Sequence, residues 1–230
     1  MRSGKRSKMR KVSESTPVLQ QLLQGARELK IYLSDHQVRQ FEIYIRSLHE
    51  FQGRLHLISR ADHARIVERH FLPSLMAQRF LHGSTMCDIG SGGGFPGIPL
   101  KIVAPEFRVV LFESTGKKAA FLMTLVKKLG LANVTVVHER AEQYSSSRFD
   151  LILLRAVGAI RKNLRTIDQL LAAKGRAVFY KTYRVEQELK QARILMERLG
   201  FTTEVHKLST PIEKRPIAFV ILGRTVNRKQ

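Results

Sequence analysis

At 230 residues the chain can hold one full α/β domain with roughly 70 residues to spare, at ~100 to 200 residues per domain. Its 43% hydrophobic content suits a globular protein, no run approaches the ~18 apolar residues of a membrane span, and a single cysteine, Cys87, excludes an internal disulfide framework. The net charge of +21 draws polyanions, nucleic acid foremost, and removing the six cations of residues 1–11 lowers it only to +15, so the folded part should carry a basic face.

Residues 1–13 are too polar and basic to order themselves and lack the apolar segment of a secretory signal. A helix is expected from Pro17, with Leu19, Leu22, Leu23 and Ala26 on one stripe. Ser34 and Gln37 form a capping box ahead of a second helix, whose stripe is Val38, Phe41, Tyr44, Ile45 and Leu48. A third helix should run from about Ala64 to Phe80, kinked or divided at Pro73. His49, His56, His63 and His70 recur every seven residues, but they fall on different elements without a carboxylate or cysteine at ligand spacing, so no metal site is expected. This helical region, residues 14–82, reads as a cap on the rest of the chain.

From Thr85 onward strands and helices alternate. Strands are expected at Thr85–Ile89, Val109–Phe112, Val134–His138, Phe149–Leu154, Ala177–Lys181, Thr203–Leu208 and Ile217–Leu222. Helices should lie near Gly116–Leu129, Ile160–Ala173 and Val185–Leu199, with a short one after the first strand. The last two strands lack a helix between them, which implies a doubly wound, mostly parallel seven-stranded sheet with one antiparallel strand over residues 83–230. Cys87, on the first strand, reads as a small buried apolar residue.

The first strand runs into Asp88-Ile89-Gly90-Ser91-Gly92-Gly93-Gly94-Phe95-Pro96-Gly97-Ile98-Pro99, with five of the chain's 15 glycines. Gly90, Gly92 and Gly94 can take positive φ and let the backbone approach a ligand, while Pro96 and Pro99 suit a helix start. Two frames fit. Gly92-x-Gly94-x-x-Gly97 is the dinucleotide fingerprint, a weak signal alone. Asp88-x-Gly90-x-Gly92-x-Gly94 suits the strand end better and places an acid before the first glycine. A second acid, Glu113, ends the next strand 23 residues after Gly90, a spacing suited to ribose hydroxyls. An adenosine carrying an amino-acid tail uses both acids, which favours S-adenosyl-L-methionine over a nicotinamide cofactor.

The loop, with Phe112-Glu113-Ser114-Thr115-Gly116-Lys117-Lys118 and Phe121-Leu122, closely resembles the bacterial 16S ribosomal RNA guanine-N7 methyltransferases, also called glucose-inhibited division protein B. The likeness extends back through Leu33-Ser34-Asp35-His36-Gln37 and Arg69-His70 and forward to Arg155-Ala156 and Lys181. The resemblance implies a class I, Rossmann-like methyltransferase fold. It places Gly90 and Phe95 beside the methionine and ribose of the cofactor, Glu113 on the ribose, Ala141 and Glu142 at the adenine, and Arg155 facing the active cleft. It also implies 16S ribosomal RNA or the small subunit as partner. The chain departs from the family's usual pattern at His56-Leu57-Ile58, Leu72-Pro73-Ser74 and Thr182, all on the substrate side.

The chemistry can be weighed separately. Exocyclic amine methylation uses a polar motif after the fourth strand, where this chain has Leu154-Arg155-Ala156-Val157. Guanine N7 already carries an in-plane lone pair, so positioning and exclusion of water would supply most of the catalysis without a base. Arg155 and Lys181, at the ends of adjacent strands, could donate to guanine O6 or a flanking phosphate. Arg69 and His70, Lys117 and Lys118, and Arg161 and Lys162 with Arg165 are candidate RNA contacts, with His70 a polar or cationic group facing the cleft. A cytoplasmic monomer is expected. Competing readings are a ribosome-assembly or RNA-binding protein without turnover, a methyltransferase for another RNA, and a nicotinamide oxidoreductase.

Overall fold

The computed structural model describes residues 16–51, 53–182 and 184–224, and the basic segment 1–13 lies outside them. Helix α1, Pro17–Glu28, starts where Thr16 Oγ1 accepts from Leu19 N and proline fills the first turn. Helix α2, Asp35–Glu50, opens with the capping box: Ser34 Oγ accepts from Gln37 N, and Gln37 Oε1 from Ser34 N. The third helix expected near Ala64–Phe80 is divided, residues 60–80 forming four short pieces. They are a 3-10 turn Arg60–Arg65, a π turn Val67–Phe71, helix α3 Leu72–Met76 and a 3-10 turn Ala77–Phe80. Pro73 accounts for much of this, because it has no N–H to offer the Arg69 carbonyl four residues back.

The sheet comprises β1 Thr85–Ile89, β2 Arg108–Phe112, β3 Val134–Val137, β4 Phe149–Arg155, β5 Leu171–Lys181, β6 Phe201–Ser209 and β7 Pro216–Arg224. Their order is β3-β2-β1-β4-β5-β7-β6, with β7 antiparallel to both neighbours. The connecting helices are α4 Gly97–Val103, α5 Gly116–Lys128, α6 Ile160–Leu170 and α7 Glu186–Arg198. Side chains alternate in β4 as the period of two requires. Leu151 and Leu153 join the core beneath α4, α5 and the N-terminal helices, while Ile152 and Leu154 join the core beneath α6 and α7. The helical region thus shares one apolar core with the sheet.

One boundary differs from expectation. Helix α6 stops at Leu170, not Ala173, and β5 begins at Leu171, not Ala177. Leu171 pairs with Phe149, and the register then shifts before Leu151 meets Arg176, so the segment is a bulged strand start. Strand order reverses between β1 and β4, which opens a crevice at their carboxyl ends.

Candidate active site

Two acids frame the crevice. Asp88 is fully buried at the end of β1, where its Oδ2 accepts from Gly97 N at 2.9 Å and so caps α4. Its Oδ1 is buried with no hydrogen-bond partner. Burial pushes the Asp88 carboxyl from 3.8 up to about 7, against the opposing pull of the Gly97 N–H and the Arg155 cation. Glu113, buried at the end of β2, accepts from Gly92 N at 2.9 Å through Oε2 and from Thr115 N at 2.8 Å through Oε1. Each oxygen keeps a lone pair for a further donor.

The loop between these acids is tightly determined. Gly90 and Ser91 donate their amides to Phe112 O, and Gly90, Gly92 and Gly94 take φ of +72°, +55° and +96°, as expected for those positions. Gly97 serves packing instead, since a Cβ there would lie 2.7 Å from Leu111 Cδ2 and 2.9 Å from Asp88 Oδ2. It permits α4 to close on the sheet.

Phe95 is the wall shared by loop and helical region. Its ring stacks on Tyr44 at 5.2 Å and 19°, takes the edge of Phe71 at 5.1 Å, and lies 4.9 Å from the His70 ring. Tyr44 Oη also donates to Gly93 O at 2.7 Å within the core. Helical periodicity shows Tyr44 only as part of an apolar stripe, and nothing local marks its hydroxyl as the loop's anchor. His70 lies beneath the loop, with Nε2 3.3 Å from Asp62 Oδ2, and burial chiefly lowers its pKa to about 3. Burial disfavours the charged imidazole there, while the neighbouring Asp62 carboxylate favours it.

Arg155, at the end of β4, stands between the two sides. Its guanidinium carbon is 5.9 Å from the Phe95 centroid, and Nη2 donates at 2.6 Å to the Arg69 carbonyl that Pro73 cannot serve. Its Nη1 is buried without a partner. Beyond it opens a cleft of about 680 Å³ lined by Arg69, Arg155, Lys181, Arg184 and Arg215, with Tyr180 among its walls and no carboxylate in the lining. Sequence reasoning misses Arg184 and Arg215, the latter because it reaches the cleft from the turn between β6 and β7. That turn is closed by Thr210 Oγ1 accepting from Arg215 N at 3.0 Å, and Arg65 pairs with Glu213 to tie it to the helical region. Pro73 and Thr182 also line the cleft.

The remaining candidates divide. Lys181 lines the cleft, but its Nζ donates at 2.7 Å to Gly158 O and at 2.7 Å to Glu188 Oε2, so it also fastens the loop after β4. Ala141 is buried at a 3-10 turn after β3, and Glu142 is exposed beside it at the same sheet edge as Glu113. Lys117 is exposed and Lys118 half-buried at the start of α5, on the β2 side of the loop. Arg161 and Lys162 are exposed in the first turn of α6, away from the cleft lining.

The set fits an S-adenosylmethionine-like ligand. An orphaned buried carboxylate oxygen suits an ammonium, a carboxylate with free lone pairs suits a diol, and the unpartnered Arg155 Nη1 suits a carboxylate.

The model of the rRNA small subunit methyltransferase G family matches residues 37–217. Proteins named ribosomal RNA small subunit methyltransferase G are similar throughout. That of Roseiflexus sp. (strain RS-1) is 39% identical over 78% of this chain and 80% of its own. That of Oceanobacillus iheyensis is 31% identical over 89% of this chain and 90% of its own. Among solved structures, a SAM-dependent O-methyltransferase from Thermotoga maritima aligns with a TM-score of 0.54 at 16% identity, covering 81% of this chain and 73% of that one. A protein of M. jannaschii solved in complex with AdoMet aligns with a TM-score of 0.53 at 14% identity, covering 66% and 77%. These two likenesses show the class I methyltransferase fold.

Proposed function

The chain belongs to the rRNA small subunit methyltransferase G family, and from that membership and the geometry of the cleft we propose that it methylates N7 of a guanine in 16S ribosomal RNA, using S-adenosyl-L-methionine in the cytoplasm and acting as a monomer. The observation that carries the reading is the juxtaposition at Arg155: a two-acid glycine loop on one side, and on the other a cleft lined by five cations, of which Lys181 pairs with Glu188 and Arg69 with Asp62.

The bound cofactor supplies an electrophilic methyl on a sulfonium. Glu113 would hold the ribose diol, Asp88 the ammonium, and Gly90 and Phe95 would wall the methionine arm. Ala141 and Glu142 would border the adenine. Arg155 would orient the base from O6 or hold the cofactor's carboxylate, leaving N7 free, while Arg69, Arg184 and Arg215 would hold flanking phosphates. N7 attacks with its own lone pair, so the cleft requires no general base, and its lining offers no carboxylate to serve as one. The residues bind, align and exclude water.

Transfer of a labelled methyl group to small-subunit RNA from cells lacking this protein, followed by nucleoside digestion, tests the reading. Label in 7-methylguanosine is expected. Cofactor binding without transfer, or label in another nucleoside, would overturn it.

A further inference from the structure

A second basic feature lies away from the cleft. Between α6 and α7 runs a groove of about 510 Å³ lined by Arg161 and Arg165 from α6 and by Gln191, Ile194, Leu195 and Arg198 from α7. Arg161 and Arg165 are one helical turn apart, and the α7 positions follow the spacing of three and four that makes one face. Three arginines therefore line one groove.

Their charge is left uncompensated by the two helices that carry them. Helix α6 has one acid, Asp168, and it pairs with Arg224 at 2.9 Å. The acids of α7 are Glu186, Glu188 and Glu197, and these pair with Lys207, with Lys181 at 2.7 Å and with Arg193 at 3.3 Å. Among the described residues Arg161, Arg165 and Arg198 form no ion pair. Uncompensated arginines converging on a groove match phosphate oxygens, which they can grip with forked donors. Ile194, 59% exposed beside them, offers a ledge that a ribose or base edge can cover.

The groove is fixed relative to the cleft. Helix α6 starts five residues after Arg155, and the intervening loop is held at three points. Glu188 Oε2 accepts from Ile160 N at 3.1 Å as well as from Lys181, while Asn163 Nδ2 donates to Val157 O and Ala159 O at 3.2 and 2.9 Å. We infer that the α6–α7 groove is a second RNA site, which binds the phosphate backbone of the substrate beyond the target nucleotide without reading its sequence. The inference rests on the RNA reading of the cleft.

The test compares the full chain with an Arg161→Ala/Arg165→Ala/Arg198→Ala variant and with the corresponding Lys variant, using protein-free small-subunit RNA. The Kd for RNA is measured across a salt series by filter binding, and kcat and cofactor Kd are measured separately. The Ala variant should bind RNA at least tenfold more weakly, and its log–log salt slope should be shallower by about 2 to 3 for three lost phosphate contacts. Its kcat at saturating RNA and its cofactor Kd should stay unchanged, and the Lys variant should keep the slope. Unchanged RNA affinity and slope in the Ala variant would overturn the inference. A fall in kcat or cofactor affinity would overturn it too, by showing a structural role. Because Kd is read without turnover, failure of the wild type to methylate RNA remains a separate result, bearing on the cleft alone.

Discussion

Replacing Glu113 by glutamine isolates what its second carboxylate oxygen does. Both oxygens accept backbone N–H groups, from Gly92 at 2.9 Å and from Thr115 at 2.8 Å, and the side chain is buried. Glutamine can accept only one of these bonds and turns its amide donors toward the other N–H. A hydrogen bond to a charged group contributes about 1.5 to 3 kcal/mol. At about 1.4 kcal/mol per factor of ten, that is roughly 10- to 150-fold in the equilibrium constant between the ordered and the open loop. Only the ordered loop presents Gly92 and the diol-binding lone pairs together, so the loss should appear mainly as weaker cofactor binding. Calorimetric titration with S-adenosylmethionine should show at least a tenfold rise in Kd, with kcat at saturating cofactor reduced far less. An affinity within twofold of wild type would refute the reasoning, because the clamp would then be irrelevant to the site.

Tyr44→Phe keeps the ring on Phe95 but leaves the buried Gly93 carbonyl without its donor, so urea unfolding should show a loss of about 1 to 3 kcal/mol and cofactor titration a weaker complex. Gly97→Ala puts a methyl 2.7 Å from Leu111 Cδ2 and should lower stability by about 1 to 3 kcal/mol, read from the same unfolding curves. Asp88 has its pKa raised to about 7 in the folded chain, so folding takes up a proton, and its contribution to stability should fall as pH rises from about 4 to about 7 and level off above. Ionised Asp88 attracts the cofactor's cationic groups, so affinity for S-adenosylmethionine should climb as pH passes 7, a rise that Asp88→Asn should abolish in titrations at pH 6 and 8.

Much of this arrangement is legible in the chain because it depends on local chemistry. Glycines at positive φ, an acid at each strand end and the Ser34–Gln37 box are demanded by backbone geometry within a few residues, and so they show. The end of α6 does not show, because Leu170-Leu171-Ala172-Ala173 suits a helix as well as a strand, and only pairing of Leu171 with Phe149 decides it. Tyr44 and Arg215 are hidden for the same reason. Tyr44 meets Gly93 across 49 residues, and Arg215 enters the cleft from a turn 60 residues beyond Arg155. Long-range contacts of single side chains leave no periodic trace.

The helical region is what joins the two halves of the site. Tyr44, Phe71 and His70 all pack on Phe95, so the residue that should wall the cofactor is seated by the layer that carries Arg69 to the cleft. Arg155 closes the circuit by donating to the Arg69 carbonyl, which is open to it because Pro73, four residues on, has no N–H. Pro73 also lines the cleft. Arg69, in the π turn just before Pro73, is thereby held to Arg155 through its backbone carbonyl while its side chain lines the cleft. A base entering between the two would meet a wall fixed by backbone chemistry on one side and by Phe95 on the other.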